Sequence, residues 1–155
     1  MNSPGCDLFI AGFPCQPFSA AGSGHGVLDA RGTVIYRLIA WIDKHQPTLF
    51  VLENVRGLVD RHTETFHEIL VMLCNLGSYE VSWGILGAHT HGSVPQHRER
   101  VFIVGILRCK KKSDFTWPRA MPLTTSLSDF ILEEEHDGLH ENIAWPRQKT
   151  QKRNL

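Results

Sequence analysis

The sequence has no excess charge of either sign, no C-x-x-C pair and no apolar run long enough to cross a bilayer, and each absence removes a class of protein. Sixteen basic and sixteen acidic side chains cancel. Composition therefore offers no general attraction for a polyanion, and any nucleic-acid reading has to rest on individual residues. The four cysteines, at 6, 15, 74 and 109, match no zinc module in their spacing. Apolar stretches break well before the roughly 18 residues of a spanning helix. Met1-Asn2-Ser3-Pro4-Gly5 has neither the basic start nor the apolar stretch of a secretory signal. The expected setting is intracellular (the nucleus in a eukaryote, the cytoplasm otherwise), with reduced thiols. Cys6 and Cys74 fall in apolar segments, where small buried thiols are common, and Cys109 precedes a lysine triplet at an element end.

What is present suffices for one core. A chain of 155 residues can bury roughly two-thirds of the surface its unfolded form exposes. Asp7-Leu8-Phe9-Ile10-Ala11 is a short apolar run stopped by Gly12 and Pro14, the pattern of a buried parallel strand. Residues 20–26 hold three glycines and no bulky apolar side chain, and are expected to form a surface loop. Val34, Ile35, Leu38, Ile39 and Ile42 share one helix face, and Pro47 bars continuation. Thr48-Leu49-Phe50-Val51-Leu52 reads as a second buried strand running into Glu53-Asn54. One further helix follows, with Phe66, Ile69, Leu70, Leu73 and Leu76 inward and Gly77 as its stop. Residues 79–86 and 101–107 are two more strands, joined without a helix and therefore expected to be antiparallel. The order β-α-β-α-β-β predicts an α/β fold with right-handed crossovers.

In an open parallel sheet, ligands sit beyond the carboxyl ends of the strands. The first strand ends in Gly12-Phe13-Pro14-Cys15-Gln16 and the second in Glu53-Asn54. If the strands are neighbours, a thiol and a carboxyl group face one crevice, a constellation for covalent chemistry assisted by an acid. A loop cysteine and a strand-end glutamate are each common, so this spacing leaves a plain structural role open. A cysteine phosphatase would need arginine six positions after the nucleophile, where Ala21 stands. His89 and His91 are two apart with no third ligand at useful spacing, so no metal site is expected. Residues 110–112 and 133–135 read as solvated charge runs.

Three motifs carry a resemblance. Gly12-Phe13-Pro14-Cys15-Gln16-Pro17-Phe18-Ser19 resembles the nucleophile motif of DNA (cytosine-5) methyltransferases. Glu53-Asn54-Val55 resembles their E-N-V motif, and Gln96-His97-Arg98-Glu99-Arg100 fits their Q-x-R-x-R motif leading into a strand. Asp29-Ala30-Arg31-Gly32 is similar to the family's segment opening the intervening helix, and the likeness extends over about residues 6–132. It implies part of a Rossmann-like S-adenosylmethionine-dependent methyltransferase sheet, parallel strands with an antiparallel last strand, with the N-terminal half missing. It also implies double-stranded DNA as partner and Cys15 as the nucleophile that adds to carbon 6 of cytosine. Glu53 would stabilise the adduct at the adjacent ring nitrogen, with Asn54 holding loop and carboxylate. Arg100 suits the base carbonyl and Arg98 supports the site, since guanidinium is a fixed charged fork. Pro14, Gln16, Ser19 and Gln96 fall at substrate-binding positions, Ser19 as a phosphate contact. The 20–26 loop would close over DNA.

The chain also departs from that pattern. The family's cofactor site lies mainly on strands ahead of the nucleophile, and its target-recognition region and closing asparagine motif come later; neither has room here. Ser93 reads as an inserted residue, and Gly87 stands where relatives often have asparagine, changes that could shift Arg98 and Arg100. The expected organisation is a partial catalytic domain over 1–109, a connector over 110–132 toward a target-recognition region, and a polar, disordered tail over 133–155. The missing part of the enzyme is an expected partner beside DNA, and two other readings compete: an inactive remnant acting as a non-catalytic module, and an RNA cytosine-5 methyltransferase. The RNA branch usually carries a different residue pair before Pro14-Cys15 and threonine at the position of Ser19.

Overall fold

The computed structural model describes residues 5–14 and 33–131. Contacts divide the chain into one compact unit running to Thr125 and a second from Ser126 onward. In the first, the elements are β1 (Leu8–Gly12), α1 (Thr33–His45), β2 (Leu49–Val55), α2 (Gly57–Arg61), α3 (Thr63–Asn75), β3 (Tyr79–Gly87), α4 (Ala88–His91) and β4 (Glu99–Leu107). In the second, the described residues form a single 3-10 turn, Leu127–Phe130, closed by a capping box between Ser126 and Asp129. Among the described residues no helix is long and apolar enough to cross a membrane.

The strands form one sheet in the order β1-β2-β4-β3. β1 and β2 are parallel, whereas β4 runs antiparallel to both neighbours and lies between β2 and β3. The expectation of parallel strands with an antiparallel last strand therefore holds.

Alternation of side chains sends Phe50, Leu52 and Asn54 of β2 to one buried face. The helices cover that face. Ile35, Ile39 and Ile42 recur at the spacing of one helical stripe in α1 and are buried, as are Phe66, Ile69 and Leu73 of α3. Together with Tyr79, Val101 and Ile103 they make one core. Lys44 and His45 occupy the last turn of α1, favourable to its dipole. Gly77, in the left-handed region at φ 70°, donates its N–H to Cys74 and ends α3. Gly105 is dictated by packing, because a Cβ there would lie 2.0 Å from Cε1 of Phe50.

Four expectations need correction. β1 pairs in parallel as expected but is not a buried strand, since one of its faces carries Leu8 and Ile10, 50% and 66% exposed. The single helix expected after β2 is two, because the chain turns out of helical geometry at His62 (φ −128°, ψ 45°). The β3–β4 connection does contain a helix, the single turn α4; Gly92 and Val94 both donate to the Ala88 carbonyl, so it reverses the chain without adding a layer. Cys6 and Cys74 are exposed, as is Cys109. Cys74 sits one position past Leu73, which takes the inward face of α3, and Cys6 precedes the ladder.

Candidate active site

The parallel pairing of β1 with β2 brings their carboxyl ends together, with Gly12 opposite Glu53. A Cβ on Gly12 would lie 3.2 Å from Oε2 of Glu53, so the carboxylate rests directly over that glycine. The Phe13 N–H donates to the Glu53 carbonyl at 3.4 Å, continuing the ladder one step. Asn54 points to the opposite, covered face. It is a buried polar residue satisfied at both ends of its amide: Nδ2 donates to the Phe13 carbonyl at 3.1 Å, and Oδ1 accepts the Val55 N–H at 2.8 Å. The segment leading toward residue 15 is thus tied to the end of β2 from both sides of the sheet.

Arg100 enters from β4. In the ladder it stands opposite Val55, while Glu53 stands opposite Phe102, so Arg100 and Glu53 are diagonal neighbours on one face. Nε of Arg100 lies 2.9 Å from Oε1 of Glu53, both side chains partly buried. Nη1 donates to the Glu99 carbonyl at 2.8 Å. Two of the three guanidinium nitrogens therefore have fixed partners. One residue beyond this rung, Arg56 pairs with Glu99 at 2.8 Å and with Asp60 at 2.9 Å. Neither Arg56 nor Glu99 was singled out from the sequence; the available signal was opposite charge immediately after E-N-V and between the two motif arginines.

Arg98 is exposed, its N–H donating to the Gln96 carbonyl at 2.9 Å and its own carbonyl accepting the Ala88 N–H at 3.0 Å. With Arg100, His91, Leu86 and Phe102 it lines an open cleft of about 290 Å³. Gln96 is exposed and Pro14 half-buried. Cys15, Gln16 and Ser19, the 20–26 loop, residues 29–32 and the 133–155 tail lie outside the described residues. The described site is therefore Glu53, Asn54 and Arg100 around the approach to residue 15, with Arg98 to one side.

The two departures noted in the sequence meet in the turn before β4. Ser93 takes a left-handed conformation (φ 50°), with Oγ accepting the Thr124 N–H at 3.0 Å and its carbonyl bonded to the Thr125 hydroxyl. At Gly87 a Cβ would lie 2.8 Å from Oγ1 of Thr90, so the turn has closed onto the missing side chain. The Glu53–Arg100 pair stands in their presence.

His91 accepts the Gly87 N–H at Nδ1, 3.3 Å away, and the His89 and His97 rings meet at a tilt of 55° with centroids 4.5 Å apart. Among the described residues no three His, Cys, Asp or Glu side chains are grouped to hold a metal ion. Nor does this cleft fit S-adenosylmethionine, the methyl donor implied by the resemblance. The cleft carries Arg98 and Arg100, whose charge repels a sulfonium, and Glu53 is already engaged by Arg100.

The family model described as C-5 cytosine-specific DNA methylase matches residues 2–154. The type II methyltransferase M.DsaV of Dactylococcopsis salina is 41% identical over 133 residues, which is 84% of this chain and 37% of that protein. M.BanI of Aneurinibacillus aneurinilyticus is 45% identical over 114 residues, 73% of this chain and 26% of that one. The chain thus spans about a third of such relatives. Among solved structures, the Entamoeba histolytica methyltransferase EhMeth superposes with a TM-score of 0.55 at 20% identity, over 75% of this chain and 36% of its own.

Proposed function

This chain belongs to the C-5 cytosine-specific DNA methylase family, and from that premise we propose that it supplies the base-activating part of a DNA (cytosine-5) methyltransferase. The observation that carries the reading is the Glu53 carboxylate, fixed by Arg100 over Gly12, three residues ahead of Cys15.

Carbon 5 of cytosine is a weak nucleophile. Addition of the Cys15 thiolate to carbon 6 forms a carbon–sulfur bond and moves the ring's electron pair toward carbon 5, which can then attack a methyl group. Loss of the carbon-5 proton to a base then re-forms the double bond and expels the Cys15 thiolate. Glu53 hydrogen-bonds or protonates the adjacent ring nitrogen as charge develops there. The Arg100 guanidinium holds that carboxylate and presents its remaining nitrogen to the base carbonyl, and its charge favours the thiolate. Asn54 fixes the Phe13 carbonyl and so the path of the nucleophile loop. Arg98, exposed beside the cleft, takes phosphate, with Pro14, Gln16, Ser19 and Gln96 completing the substrate contacts. Double-stranded DNA is the substrate. The target base must leave the stack, which costs a few kcal/mol. S-adenosylmethionine would supply the methyl group when bound. Residues 110–132 connect this part to a target-recognition region.

An oligonucleotide containing 5-fluorocytosine tests the mechanism in the complete protein that carries this segment. The adduct cannot lose fluorine, so a covalent complex should persist on a denaturing gel. Cys15→Ser should trap none; trapping by that variant would sink the assignment. Glu53→Gln should slow methyl transfer by about 10²- to 10⁴-fold while DNA binding persists.

A further inference from the structure

We infer that Arg56 and Glu99 are a positioning pair that sets the guanidinium of Arg100 and, through it, the carboxylate of Glu53. The inference rests on the reaction proposed above and adds two residues to it.

The β2–β4 ladder ends at the rung Val55–Arg100. Arg56 and Glu99 are the next residue on each strand, and Nη1 of Arg56 meets Oε2 of Glu99 at 2.8 Å. Side chains thus continue the junction where the backbone stops. On its other flank Glu99 still pairs with Gly87 of β3. Toward β2 it is held by the ion pair with Arg56. Its carbonyl is the acceptor for Nη1 of Arg100, so a shift of Glu99 is passed directly to that guanidinium. Arg56 is itself anchored, because Nε binds Oδ2 of Asp60 in α2 at 2.9 Å. The two carboxylates, Glu99 foremost, raise the Arg56 pKa above its ordinary value. One chain of contacts therefore runs from Asp60 through Arg56, Glu99 and Arg100 to Glu53.

Arg56 and Glu99 are more than a third exposed, and such pairs add little to folding free energy. Removing one should leave the fold standing. Rate is more sensitive, because a small misplacement of a reacting group costs far more than the contact that held it.

The test compares Glu99→Gln, Arg56→Ala, their double variant and Arg56→Lys in the complete protein, with Cys15→Ser alongside. The readouts are methyl transfer at saturating duplex DNA, KM for that DNA, and the thermal midpoint. Each of the first two should lower kcat about tenfold, with KM and midpoint near those of the unaltered protein. The double variant should be no slower than the slower single one, and Arg56→Lys should recover most of the rate. An unaltered kcat in either single variant overturns the positioning role. So does a double variant slowed about 100-fold, the product of two independent losses, or a loss confined to the thermal midpoint. Should Cys15→Ser still trap fluorocytosine, the proposed reaction fails instead, a result distinguishable from all of these.

Discussion

The two ends of the sheet are built from different materials. At the end where β1 and β2 finish and β4 begins, Glu53, Arg100 and Asn54 are partly or wholly buried polar groups satisfied by one another and by the Phe13 and Glu99 carbonyls. At the opposite end the Phe50 ring fills the space over Gly105 and meets Tyr79 edge-on at 5.1 Å, while the Tyr79 hydroxyl donates to the Pro47 carbonyl at 2.8 Å. One end excludes water with aromatic surface; the other keeps charge at the margin of the core. The contrast separates stability from chemistry along a single strand, since β2 contributes Phe50 to one end and Glu53 to the other.

That separation can be broken by substitution. Gly105→Val should have the largest effect on folding, because its Cβ would lie 2.0 Å from Cε1 and 2.1 Å from Cζ of Phe50. Overpacking of this kind costs about 3 kcal/mol, read as a lowered denaturation midpoint, and the surviving folded fraction should keep its KM for DNA. Asn54→Ala comes next. It leaves the Phe13 carbonyl without its donor at a cost of about 2 kcal/mol, and methyl transfer should fall by more than the unfolded fraction explains. Equal falls in both would place Asn54 with the packed end. Tyr79→Phe should be mildest, about 1 kcal/mol for the lost hydrogen bond.

The tyrosine also has a pH signature. Burial pushes the Tyr79 phenol up from 10.0 to about 12, with Asp43 adding to the shift. Its contribution is full below pH 10 and is lost as pH rises through 12. Melting curves should show the Tyr79→Phe variant falling less steeply than the unaltered protein over that interval.

Much of this was legible in the residues. Apolar spacing located α1 and α3 and the faces they bury, and Gly77 marked its turn because a left-handed φ favours glycine. The meeting of Glu53 with the end of β1 followed from strand adjacency. Other features were hidden for a common reason: periodicity reports which face a residue takes, not which strand lies beside it. The insertion of β4 between β2 and β3 is of this kind, and so is the Arg56–Glu99 contact, whose partners are 43 positions apart. The exposure of Cys6 and Cys74 shows the same limit locally, since apolar neighbours in sequence need not be neighbours in space.

The antiparallel strand that comes last among the described residues is also the one on which the centre of the sheet depends. Until residues 99–107 exist, β2 has one flank open and β3 has no partner in the sheet. Ladders between segments so distant in sequence pay their loop-closure entropy before they gain any contact. Arg100 arrives on this same strand, so the carboxylate of Glu53 acquires its counter-charge only as the sheet closes. A chain caught before that step has an unfinished sheet and a Glu53 carboxylate without its ion pair.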